Sequence, residues 1–149
     1  MGKPKVDIWQ FQMELSARLM RWAGFSIGAG TALALTGDRF KQGVGEQFIG
    51  WGVINGLLAF FGARNAPKQS AEPEAHTPAR QAGERRNLRT ILSVNTGLDV
   101  LYVLGGLWLA RTKGEDDDFW RGAGQGIVVQ GAFLFVFDLI HALNLKRDA

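Results

Sequence analysis

Four apolar stretches, separated by segments that hold nearly all of the charge, limit what this chain can fold into. The first, WAGFSIGAGTALALTG from Trp22 to Gly37, has no charged residue. The second runs from Gly43 to Ala63 with Glu46 near its start; the third, Thr90 to Ala110, carries Asp99, and the fourth, Gly122 to Asn144, carries Asp138. A hydrocarbon core about 30 Å thick needs roughly 20 helical residues. The last three stretches meet that length, and Leu15 to Arg21 extends the first, with Arg18 and Arg21 able to snorkel to the headgroups. A soluble helix should show a polar stripe at a period of about 3.6 residues, yet residues 48–63 carry no charge on any face. The expectation is an all-α fold: one membrane domain of 149 residues, a four-helix bundle with spans at about 16–37, 43–63, 90–110 and 122–144. Ala32-Leu33-Ala34 resembles a signal-cleavage site, but a basic leader of about 21 residues is long, so the segment reads as a retained span.

Ahead of the first span, Ile8, Phe11, Leu15, Leu19 and Trp22 recur at spacings of three and four, which predicts an amphipathic helix in the membrane interface. A plain extension of the first span is the alternative. Residues 64–89 form a connection rich in Pro, Ala, Glu and Gln, a composition typical of disorder. All four prolines fall outside the apolar stretches, so none need kink a span. Twelve Lys and Arg residues lie in the N-terminal segment, residues 64–89 and the C-terminus, against five in the two short loops. The positive-inside bias puts the twelve, and both termini, in the cytoplasm. Arg85, Arg86 and Arg89 then lie where anionic lipid headgroups would be. The acidic run Glu115 to Asp118 faces outward as a solvated loop. This distribution explains the basic pI near 9.6 without a nucleic-acid partner.

A shift of 79 residues aligns the stretch beginning at Phe40 with the one beginning at Phe119. Phe40/Phe119, Gly43/Gly122, Gly45/Gly124, Gly52/Gly131, Ala63/Ala142 and Asn65/Asn144 coincide. The first and third spans pair only weakly, through Gly24/Gly97 and Ser26/Asp99. Two spans per repeat is an even number, so the expectation is a parallel duplication of a two-helix hairpin about an axis along the membrane normal. Small residues at four-residue spacing, Gly24/Gly28, Gly52/Gly56 and Gly122/Gly126, predict close helix packing, within the chain or in a homo-oligomer.

Polar residues inside spans are costly and few. Asn95, Asp99 and Tyr102 share one face of the third span, and Gln130, Asp138 and His141 fall close together on the fourth. From the helical rise, Asp99 and Asn55 lie about 14 Å, and Asp138 about 10 Å, from the inner end of their spans. These residues, with Ser26 shallower, are candidates for one intramembrane cluster, in which two facing carboxyls would share a proton. The other reading is a sealed network that holds helices in register. A water-accessible cavity reaching Asp99 would favour transport, and a dry, fully bonded cluster would favour structure.

No cysteine is present, which excludes disulfides, zinc–thiolate sites, iron–sulfur ligation and thiol catalysis. His141 would need a second intramembrane His for bis-His haem, and His76 lies in the connection, so no cofactor or metal is expected. Phosphate loops, HExxH and GxSxG are absent, and the chain reads as no enzyme. The blocks NTGLDVLYVLGGL (Asn95 to Leu107) and QGAFLFVFDL (Gln130 to Leu139) resemble a family of uncharacterised small bacterial four-helix membrane proteins. That resemblance implies a bacterial inner-membrane location and supplies no activity. The expected role is an integral membrane helical module that self-associates or joins a larger complex in the bilayer. The alternative is a small proton-linked transporter or channel using Asp99 and Asp138.

Overall fold

The computed structural model describes residues 6–147, the Arg147 side chain excepted. Lys3 and Lys5 of the basic N-terminal segment therefore lie outside the described residues. Regular structure among these is all helical: α1 (Ile8–Ala34), α2 (Arg39–Ser70), α3 (Pro78–Arg111), the single turn α4 (Lys113–Asp116) and α5 (Asp118–Arg147). Local chemistry fixes the ends. The Asp7 carboxylate caps α1 by accepting from the Trp9 and Gln10 amides at 2.9 and 3.3 Å. Asp38 caps α2 through the Lys41 amide at 2.8 Å, and Thr77 caps α3, which has Pro78 in its first turn. Gly37, at a φ of 75°, reverses the chain after α1.

Three helices, α2, α3 and α5, are long and apolar enough to cross a membrane. Helix α1 is not among them, because Arg18 and Arg21 sit mid-helix and small or hydroxylic residues dilute its apolar half. Among the described residues the expected amphipathic helix is not a separate element: Ile8 to Ala34 is one continuous helix. The outward face of the bundle is apolar, with Phe25, Leu58, Phe61, Leu101, Leu104 and Trp108 all more than half exposed.

The connection expected over 64–89 is mostly helix. Helix α2 continues through Pro67 to Ser70, α3 starts at Pro78, and only residues 71–77 join them. Pro67 is thus inside a helix, against expectation. This end is ordered because it docks. Trp9 donates from Nε1 to the Ala75 carbonyl at 3.0 Å, and Gln81 bonds the Ile8 amide and the Asp7 carboxylate at 2.9 and 2.8 Å. His76 Nδ1 meets Asp7 at 3.0 Å, while Ile8, Trp9, Ala75, Leu92, Ala142 and Leu145 form a buried core beneath. Burial raises the Asp7 carboxyl, but bonds from His76, the Gln10 and Trp9 amides and Gln81 outweigh it and hold it below its ordinary value. Arg85 is buried and donates from Nη2 to the Val6 carbonyl at 2.6 Å, which ties α3 to the start of α1. The start of α1, the 71–77 connection and the end of α5 therefore share one end of the bundle. The acidic run Glu115 to Asp118 lies at the other, where it is no loop: it closes α4 and opens α5. There Asp117 accepts from the Phe119 amide at 2.8 Å and pairs with Arg39 at 3.1 Å.

Helix α1 packs chiefly on α2, α3 on α5, and the two hairpins meet through α2 and α5. Glycine sets the approach. A Cβ on Gly45 would lie 2.5 Å from the Gly30 carbonyl oxygen and 2.7 Å from the Ala34 nitrogen, and one on Gly124 would lie 2.5 Å from the Gly106 oxygen and 2.6 Å from the Ala110 nitrogen. The same correspondence holds further down, where Gly52 meets Ile27 and the Ala23 carbonyl, and Gly131 meets Val103 and the Asp99 carbonyl. Between hairpins, Gly43 lies against the Phe119 carbonyl and Gly122 against that of Phe40. The matching shift is 79 for α2 and α5 but 76 for α1 and α3, so the Gly24/Gly97 and Ser26/Asp99 pairing is off by three residues. In this register Ala23 and Ala59 hold the places that Asp99 and Asp138 hold in the second hairpin.

Candidate functional site

Asp99 on α3 and Asp138 on α5 are both buried, line one cavity with Asn95, one turn before Asp99, and lie near enough for their charges to act on each other. Two like charges in one buried site disfavour joint ionisation. The site is not fully satisfied. Asp99 Oδ2 and Asn55 Nδ2 are buried with no hydrogen-bond partner, on residues that are each 3% exposed. Both residues line a cavity of about 160 Å³, with Asn95, Asp138 and Tyr102. Trp51 completes its aromatic side, edge-to-face with Tyr102 at 4.9 Å between centroids.

A second cavity of about 350 Å³ adjoins the first and shares Leu19, Leu58, Asn95 and Asp138 with it. Its far wall is polar, with Gln12, Gln69, Glu84 and Asn87, and belongs to the docked end of the bundle. Asp138 thus stands between a small apolar-walled chamber, which Asp99 also lines, and a larger vestibule that leads toward the end carrying the 71–77 connection.

The structure splits the expected cluster. Asn55, Asn95, Asp99, Tyr102 and Asp138 come together, but Gln130 does not join them. Fully buried, it accepts from Trp22 Nε1 at 2.9 Å and donates to Ser26 Oγ at 3.0 Å, tying α5 to α1 while Trp22 stacks on Phe133. His141 also turns away from the acids. Arg18 donates to its Nε2 at 3.2 Å, so its Nδ1 carries the proton donated to the Phe137 carbonyl at 2.6 Å. Both residues lie on α5 faces that look to α1, where large side chains bridge what the backbones leave open. Among the glycines expected to pack, Gly52, Gly122 and Gly126 do so tightly, Gly56 makes only an ordinary contact with Ala23, and Gly24 and Gly28 have nothing within 4 Å. Those two lie on an open face of α1.

Two parts of the site escaped the sequence reading. Trp51 stands one turn from Asn55, and that i, i+4 spacing was the available signal. Glu84 and Asn87 continue the Asn95–Asp99–Tyr102 face by helical spacing, but only once 78–89 is known to be helix.

Residues 18–139 match the model of DUF6992, a family of unknown function. The chain belongs to DUF6992. The matched range contains both acids, Asn55, Asn95, Tyr102 and Trp51, and thus every residue named on the smaller chamber. Among curated proteins and solved structures, none matches this DUF6992 chain. Among its described residues, no three His, Cys, Asp or Glu side chains are grouped to hold a metal.

Proposed function

We propose that this DUF6992 chain is a small proton-linked membrane transporter in which Asp99 and Asp138 exchange a proton with a solute. One observation carries the reading: Asp99 and Asn55, each with an unpartnered buried polar atom, line a chamber with Asp138, and a polar-mouthed vestibule reaches Asp138 from the docked end. A sealed structural network would leave no such atoms, since an unsatisfied buried polar group costs about 1–3 kcal/mol. The other hairpin supports it as well. Ala23 and Ala59 close the equivalent helix pair without any acid, so packing alone does not require the carboxyls.

On this reading α1 crosses the bilayer with α2, α3 and α5 as a fourth span, its Arg18 held by Glu14 and His141. The two hairpins descend from one duplicated hairpin. The docked end, which carries most of the Lys and Arg residues, lies in the cytoplasm of a bacterial inner membrane, where exposed Arg86 and half-buried Arg89 remain available to anionic headgroups. The reading is tested in proteoliposomes holding a pH-sensitive dye. An imposed solute gradient should drive proton movement, and Asp99→Asn or Asp138→Asn should reduce it to the protein-free level while preserving the folded yield. Flux that persists in both variants would overturn it.

The open face at Gly24 and Gly28 favours a second reading, a helical module that self-associates or joins a larger complex through α1. Its test is mass in mild detergent: Gly24→Leu with Gly28→Leu should then lower the oligomeric state, and an unchanged mass would exclude this face.

A further inference from the structure

We infer that the acid-pair chamber takes a small organic ammonium ion bearing a hydrogen-bond acceptor, in exchange for the proton shared by Asp99 and Asp138. This rests on the transport reading above and names its substrate class. Size comes first. A volume of about 160 Å³ is about five times the share of one water molecule, enough for a compact molecule. The walls come second. Leu19, Trp51, Ile54, Leu58, Leu98 and Leu134 supply hydrocarbon or aromatic surface over more than half of the lining. Hard inorganic cations select a shell of six or more oxygen ligands, whereas an alkylammonium presents a charged head and an apolar body. Trp51, in edge-to-face contact with Tyr102, lines the chamber and puts an aromatic ring beside such a head.

The unpartnered atoms set the polar pattern. Asp99 Oδ2 is an acceptor without a donor, which an ammonium N–H supplies. Asn55 Nδ2 is a donor without an acceptor, which a ligand hydroxyl supplies. Charge balance supplies the coupling. The acid pair with one shared proton carries a single negative charge. When the ammonium enters and the proton leaves through the vestibule, the two carboxylates and the bound cation again sum to a single negative charge. The buried site therefore never holds an uncompensated second charge, which low-polarity surroundings penalise heavily.

Three compounds of the same size separate these elements: isopropanolamine, isobutylamine and isobutanol. Titration calorimetry of the detergent-solubilised chain, in buffers of different ionisation enthalpy, should show saturable binding of both amines with about one proton released per amine. Isopropanolamine should bind about fivefold tighter, the fold-change of one net hydrogen bond, and Asn55→Leu should equalise the two amines. Isobutanol should not bind. Because the three ligands are compared on the unaltered chain, a poorly folding variant cannot spare the inference. Amines that bind no better than isobutanol, or bind without proton release, would overturn it. Sodium displacing the proton while amines do not would overturn the ammonium assignment yet keep the proton-linked reading. Absence of proton flux under any gradient would remove the reading itself.

Discussion

Gln130 shows how much one side chain carries where two helices do not touch through their backbones. It has no exposed surface, and its amide group both accepts from the Trp22 indole and donates to Ser26. Replacing it by Leu keeps the volume but leaves the indole N–H buried without an acceptor, at a cost of about 1–3 kcal/mol. Thermal unfolding in detergent should register that loss for Gln130→Leu. Adding Trp22→Phe removes the orphaned donor, and the double variant should recover part of the loss beyond additivity. Equal and additive losses would mean that the bond contributes nothing of its own. Sequence spacing alone set Gln130 beside Asp138, because it reports which side of a helix a residue occupies and not which neighbour that side meets.

At the scale of the helices, glycine placement decides stability, and the two hairpins should respond alike. Gly45→Ala and Gly124→Ala each push a methyl group into facing backbone, at 2.5 Å from a carbonyl oxygen, and each should destabilise by about 1–3 kcal/mol as other overpacked sites do. Gly24→Ala meets nothing within 4 Å and should be neutral or slightly stabilising in the monomer, since Ala is the better helix former. Unfolding temperatures of the three variants check this; a Gly24→Ala loss as large as that of Gly45→Ala would show α1 packed on a neighbour through that face. Much of this was legible beforehand. The helical class came from long apolar blocks with at most one charge each, and the register of α2 against α5 came from Phe40/Phe119 and Gly43/Gly122. The register of α1 against α3 did not, because a three-residue offset between hairpins hides Gly30/Gly106 and Ala34/Ala110 from any single shift. Residues 64–89 were misread for a similar reason: their composition is that of a solvated chain, while their order comes from tertiary docking of Trp9 and Ala75, which composition cannot report. The acids themselves were legible, since an Asp amid apolar residues is conspicuous, but the chamber beside them depends on where four helices diverge.

For the whole molecule, topology and the acid site make one account. The absence of cysteine makes single-Cys labelling clean. Glu74→Cys and Glu115→Cys place exposed thiols at opposite ends of the bundle. In intact cells a membrane-impermeant maleimide should label Glu115→Cys and spare Glu74→Cys until the cells are opened; the reverse pattern would invert the orientation. The central claim is that Asp99 and Asp138 share a proton in a space that water reaches through the vestibule. Infrared difference spectroscopy of the reconstituted chain at neutral pH tests it most directly. The account predicts a protonated carboxyl band that shifts on transfer to heavy water and vanishes in Asp99→Asn or Asp138→Asn. Two ionised carboxylates with no such band, or a band that heavy water never shifts, would contradict it.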